Sequence, residues 1–200
     1  MAMVGARGLG RSRRWRGFSL FGVLLGLAVA GVVIVGAVAL YNQTQEAAGR
    51  SEILTLLSQL KGSVERIYAG RPTYGASGTN LIPTIDTRGG IPDNARISTS
   101  TTTGSGASAV TTSTVSIQHP FDGAVNIVAQ GGEYEIEFED LDNEVCATLA
   151  DVYVGQTRAR TGLVSIDFSG TTNASPVTVA QVTSGCNQGA SANDITFRFG

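Results

Sequence analysis

Histidine occurs once in the 200 residues, at position 119. That scarcity excludes His-rich metal sites and confines any histidine-dependent catalysis to His119. Cysteine occurs twice, at Cys146 and Cys186. Zinc ribbons and cysteine-ligated clusters need about four ligands, so both are excluded. Charge is also scarce: 15% of residues are Asp, Glu, Lys or Arg, and the formal net charge is -2. Bulk charge therefore gives no basis for binding nucleic acid. What is abundant is apolar side chain, at 42%, and glycine, at 26 residues. The length suits one domain, or one domain with an appendage, and is enough to bury a core without staples.

The charge that exists is unevenly placed. Arg7, Arg11, Arg13, Arg14 and Arg16 fall in residues 1–17 with no acid among them. From residue 18 onward nine basic residues face sixteen acidic ones, a balance of -7. Between Phe18 and Tyr41 there is neither charge nor proline. An apolar run of about 20 residues is long enough to span a bilayer. Arginines just before such a run hold that end in the cytoplasm, which sends the rest of the chain across. Three readings of the segment stand side by side: a cleaved secretory signal, a plain single-pass anchor, and an anchor that loses only its basic leader. The run is long for a signal, and Tyr41-Asn42-Gln43 is not a small-residue cleavage site.

The helical pattern continues past Tyr41. Polar residues appear at Gln43, Gln45, Glu46, Arg50 and Glu52, while Ile53, Leu57, Leu60, Val64 and Ile67 recur at spacings of 4, 3, 4 and 3. That is one stripe of an amphipathic helix. Gly70 and Pro72 supply stop signals. A helix from Phe18 to about Tyr68 would be roughly 75 Å long. Gly22, Gly26, Gly31 and Gly36 each cost about 1 kcal/mol against alanine in an aqueous helix. Between helices or in a membrane they permit close approach, and Gly22 with Gly26 makes a G-x-x-x-G. That motif is weak alone and also arises from composition.

Residues 70–97 are rich in turn formers and read as an extended loop with short elements. Residues 98–117 are a Ser/Thr/Gly tract, read as a flexible or edge-strand surface loop, with a glycosylated exposed face as the alternative. After Asp122-Gly123 the pattern becomes strand-like at Ala124–Val128. Gln130-Gly131-Gly132 then leads into Tyr134–Glu139, predicting a hairpin. Tyr134, Ile136 and Phe138 fall on one face there, opposite Glu133, Glu135, Glu137 and Glu139. Leu163–Phe168 and Asp194–Phe199 read as further strands, and Glu144–Val154 as a short helix. The fold class is α+β: a twisted antiparallel sheet packed on the second half of the long helix.

Three constellations could carry chemistry. The four glutamates share one strand face, whereas hard cations need oxygens converging from several segments, so a solvated acidic face is the reading. Cys146 and Cys186, 40 positions apart, allow one pairing in an oxidising compartment, at about 3–4 kcal/mol in the loop-entropy model. A Cys–His nucleophile with His119 would need a free thiol outside the cytoplasm. No triad, metal spacing or phosphate loop supports an enzyme.

Arg16-Gly17-Phe18-Ser19-Leu20 resembles the prepilin peptidase site of type IV pilins, and a 17-residue leader is similar to those of the type IVb branch. Further matches are Tyr68-Ala69-Gly70, Ile91-Pro92-Asp93-Asn94, Pro120–Asn126, Cys146-Ala147-Thr148-Leu149, and Cys186 ahead of an aromatic-rich last strand. The chain as a whole resembles a type IVb pilin of the bundlin kind. The resemblance implies a leader over 1–17, a long helix over 18–69 whose first half is transmembrane or filament core, and a head over 70–200 closed by a Cys146–Cys186 disulfide. It implies cleavage between Gly17 and Phe18, N-methylation of Phe18, and an assembly helix carrying Leu20, Gly22, Leu25 and Gly26. The implied partners are copies of the chain in a helical filament, the prepilin peptidase, the inner-membrane assembly machinery, the membrane before assembly, and host or cell-surface receptors. No cofactor, metal or catalytic residue is implied. The family usually has glutamate at the fifth mature position, where this chain has Gly22. A minor pilin or a type II secretion pseudopilin is the alternative.

Overall fold

The structure is a computed structural model that describes residues 20–103, 110–189 and 192–200. The chain divides into two compact units, Met1–Gln45 and Glu46–Gly200. Helix α1, Leu20–Tyr68, is the first element and contributes to both. It ends where the sequence predicts: Gly70 takes φ +77°, and the Arg71 N–H donates to the Tyr68 carbonyl at 3.0 Å. Only glycine adopts that backbone without a Cβ penalty.

The second unit is built on the amphipathic part of α1. Ile53, Leu57, Leu60 and Val64 of the predicted stripe are buried, joined by Leu56, while Ile67 is half-buried. The predicted loop over 70–97 holds a short helix α2, Ile82–Thr87, which buries Ile82 and Ile85. The Asn80 side chain accepts from the Ile82 N–H at 2.9 Å, an Asx turn that starts it.

The Ser/Thr tract forms two strands, β1 Arg96–Thr103 and β2 Val110–Gln118, paired antiparallel over eight positions. A tight turn at His119–Gly123 leads to β3, Ala124–Gln130, and a glycine turn to β4, Glu133–Leu141. Their burial alternates as the sequence pattern requires: Val125, Ile127 and Ala129 inward on β3, Tyr134, Ile136 and Phe138 inward on β4. Helix α3, Asn143–Asp151, follows, capped by Asp142, whose carboxylate accepts from the Val145 N–H at 2.7 Å. After a single turn, α4 Arg158–Thr161, come β5 Leu163–Phe168 and β6 Thr171–Ala174. Then come α5 Val179–Gly185, with a Thr178/Gln181 capping box, and β7 Asn193–Phe199.

Among the described residues the strands form one antiparallel sheet, in the order β1-β2-β3-β4-β7-β5-β6. The last strand therefore inserts between β4 and β5 at the centre, where Ile195, Phe197 and Phe199 are fully buried. The sheet core and the α1 stripe belong to one hydrophobic cluster. A register shift between Leu163 and Ser165 breaks strict alternation on β5, so that Leu163 and Ile166 both face the core while Ser165 lies on the other face beside Glu135, Asp167 and Arg198.

Candidate assembly helix and disulfide-closed head

In the first unit, the described side chains of α1 face outward. Leu25 is 59% and Val32 75% exposed, and Leu24, Leu27, Val33 and Ile34 are similarly bare. A Cβ added at Gly26 or Gly31 would meet nothing within 4 Å. Leu20 and Gly22 lie in the first turns of α1, but their side chains fall outside those described. Gly17 and Phe18, the predicted cleavage junction, lie outside the described residues altogether. Among the described residues no helix is long and apolar enough to cross a membrane. The apolar run read over Phe18–Tyr41 falls partly outside them.

In the second unit, Cys146 on α3 and Cys186, the residue after α5, form a disulfide with their Cα atoms 5.6 Å apart. Both cysteines of the chain are consumed. A thiol nucleophile paired with His119 is thereby overturned. The bridge closes the segment that carries α4, β5, β6 and α5 onto α3. Two packings reinforce it. Gly185 backs onto the Phe168 ring, which a Cβ would approach to 2.4 Å. Asn193 is fully buried, donating to the Leu141 and Gly189 carbonyls and the Asn143 side chain at 2.9–3.0 Å, and accepting from the Gln188 N–H at 3.1 Å. The sequence gives Asn193 no local signal, since it stands in a polar Ser-Ala-Asn-Asp stretch like any loop residue.

His119 is a structural residue of the β2–β3 turn. Its ring is buried, with Nε2 donating to the Glu139 carbonyl at 2.8 Å and Nδ1 accepting from the Phe121 N–H at 3.2 Å. Burial pushes its pKa down, against the opposing pull of the Glu139 carbonyl. Gly123 sits so close that a Cβ there would lie 2.1 Å from the Glu139 carbonyl oxygen and 2.2 Å from His119 Nε2.

The glutamate row of β4 is more engaged than a freely solvated face. Glu135 pairs with Arg198 of β7 and accepts from Gln130 at 2.7 Å. Glu133 faces Arg158 at 3.3 Å, and Asn126 donates to Glu137 at 3.1 Å and Glu139 at 2.6 Å. Burial and the adjacent Glu137 raise the Glu139 pKa, partly offset by Asn126. All but the Glu133–Arg158 pair, which reaches α4, are cross-strand pairs of one sheet face. Inside the core, burial raises the Tyr134 phenol strongly and the Tyr153 phenol to about 12, with Glu65 of α1 adding to both.

One unit presents a bare apolar helix and the other a head tied by a disulfide. Residues 41–199 match the family model for bundlin. No curated protein matches the chain in sequence. Among solved structures, a type IVb pilin from Salmonella typhi is similar, at 17% identity and a TM-score of 0.49, covering 74% of this chain and 96% of that one. With the family model spanning the second part of the helix and the entire head, the chain belongs to the bundlin family of type IVb pilins, structural rather than enzymatic subunits of extracellular pilus filaments.

Proposed function

We propose that the chain is made as a prepilin, held in the inner membrane by Phe18–Tyr41, and cut between Gly17 and Phe18 by a prepilin peptidase. The new amino terminus on Phe18 is N-methylated. The apolar half of α1, with Leu20, Gly22, Leu25 and Gly26, then leaves the lipid with the help of inner-membrane machinery and packs among its copies. The head faces solvent, where it serves adhesion to host or cell surfaces, aggregation, motility or conjugation. The observation that carries this reading is the exposure of Leu24, Leu25, Leu27, Val32, Val33 and Ile34 along one helix with no charge to solvate it. Burying each such side chain is worth about 1.5–3 kcal/mol, so an aqueous monomer is strongly driven to cover them. Exposed apolar area on this scale marks an interaction surface.

A second reading, a minor pilin or pseudopilin, draws on Gly22. The buried ammonium of a neighbouring subunit would lack the carboxylate that usually stands at that position, and an unpaired buried charge costs several kcal/mol. One measurement tests both. Intact-mass and peptide mass spectrometry of protein sheared from the cell surface should show a chain beginning at Phe18, one methyl heavier and two hydrogens lighter. High copy number in that fraction supports the major subunit, and trace copy number the minor one. A chain found only in membranes and still beginning near Met1 would remove the maturation scheme.

A further inference from the structure

Strand β1 is the outer strand of the sheet, and among the described residues no strand pairs with its other edge. The Gln118 N–H donates to the Ala95 carbonyl at 2.9 Å, and the register runs from Arg96↔Ile117 to Thr103↔Val110. Hydrogen-bonded and non-bonded pairs alternate along an antiparallel ladder. The backbone groups of Ile97, Thr99 and Thr101 therefore turn to β2, and those of Ser98, Ser100 and Thr102 turn outward. Sheet edges are ordinarily guarded by charge, proline or brevity. The opposite edge, β6, has four residues with Pro176 close behind. β1 has eight residues, and from Ile97 to Ser116 the sequence holds neither charge nor proline. The ribbon also reaches past the sheet, because β2 pairs with β3 only at Ile117 and Gln118.

We infer that β1 is a pairing edge for the β1 strand of a second copy of this chain, the two running antiparallel across a two-fold axis. Charge selects this occupant. From residue 18 onward the chain carries a balance of -7, and like charges set side by side oppose the docking of two copies. Residues 97–101 and 112–114 of the ribbon are exposed and uncharged, so two copies meet there without that penalty. Its hydroxyls also suit their own kind: Ser100 and Ser113 already sit Oγ to Oγ at 3.2 Å across β1 and β2. The consequence rests on the filament reading. Subunits along one open filament are related by a screw operation and share no two-fold axis. A β1–β1 pair therefore joins two filaments side by side, and many weak pairs act together through multivalency.

The test is cross-linking of the full chain in detergent, with its native disulfide intact. A Ser100→Cys variant under mild oxidation should form covalent dimer about tenfold faster than Thr84→Cys, at an exposed position of α2, because pairing raises the local thiol concentration. Adding Ser98→Pro should return the rate to the control, since it removes an outward N–H and no bond to β2. Ser98→Lys should do the same by charge repulsion while leaving the backbone intact, which separates blocked pairing from misfolding. Equal rates for Ser100→Cys and Thr84→Cys, or a fast rate unmoved by both Ser98 changes, would overturn the pairing. Filaments on cells without edge cross-linking remove the pairing and leave the filament reading; cross-linking without filaments does the reverse.

Discussion

Leu25 and Leu60 lie on the same helix, yet Leu25 is 59% exposed and Leu60 is 0% exposed. Leu60 sits in a segment where apolar residues repeat at helical spacing among polar ones, so a single stripe is made and one sheet covers it. Around Leu25 every face is apolar, and no sheet with one hydrophobic side could cover them all. The difference separates intramolecular from intermolecular burial. A one-sided helix is satisfied within its own chain, while an all-round apolar helix needs lipid or neighbours on every side.

The largest effect that would sharpen the contrast comes from the head. Gly123→Ala places a Cβ against the Glu139 carbonyl and the His119 ring, both held by β4 and the turn. We expect a loss of about 4 kcal/mol or more in denaturant unfolding, the range of the most disruptive substitutions. Near-unchanged stability would mean that the turn can open freely. Next is the paired comparison itself. Leu60→Ala should cost about 3 kcal/mol in the detergent-solubilised monomer, whereas Leu25→Ala should stay within about 0.5 kcal/mol. Leu25→Ala should instead lower filament yield. Equal costs in the monomer would break the distinction between the two halves.

A smaller effect with a change of sign is expected at Gly26. In the monomer its Cβ position is open, so Gly26→Ala should raise helix stability by about 1 kcal/mol. In filaments the same methyl should weaken assembly wherever backbones approach at that glycine. Circular dichroism of the monomer and electron microscopy of filament number read the two signs separately. The smallest effect is on pH. Between Phe18 and Tyr41 no side chain carries Asp, Glu, Lys, Arg or His chemistry, and His119 is the one side chain of the chain whose ordinary pKa lies near neutrality. Burial holds His119 below its ordinary pKa in the fold. As pH falls through about 6.5 the unfolded chain takes up that proton first, so stability declines until the native ring also protonates. Unfolding midpoints across that window should decline in the native chain and flatten in His119→Gln.

Much of the head was legible because its strands are one-sided. Tyr134, Ile136 and Phe138 alternate with glutamates, and the hairpin with β3 follows from that pattern and its glycine turn. The stop of α1 at Tyr68 was equally local, set by Gly70. The β1–β2 ribbon was only partly legible, as a surface or edge segment. Serine and threonine have no apolar side to mark a face, so periodicity carried no signal there. α2 and β6 were too short to show a period at all. The glutamates read as a solvated face because cross-strand partners such as Asn126 and Arg198 come from other strands of the sheet.

The sequence by itself determined the long helix and its stop, where the chain is apolar without relief, and which side of β4 faces inward, since each depends on neighbours within a few residues. Only the tertiary structure decided that β7 enters between β4 and β5 and that Asn193 becomes a buried hub. It also decided that, among the described residues, β1 is left with an unpaired edge. Those outcomes depend on contacts between segments tens of residues apart. Such contacts are settled by the whole core closing at once, and no local pattern records them.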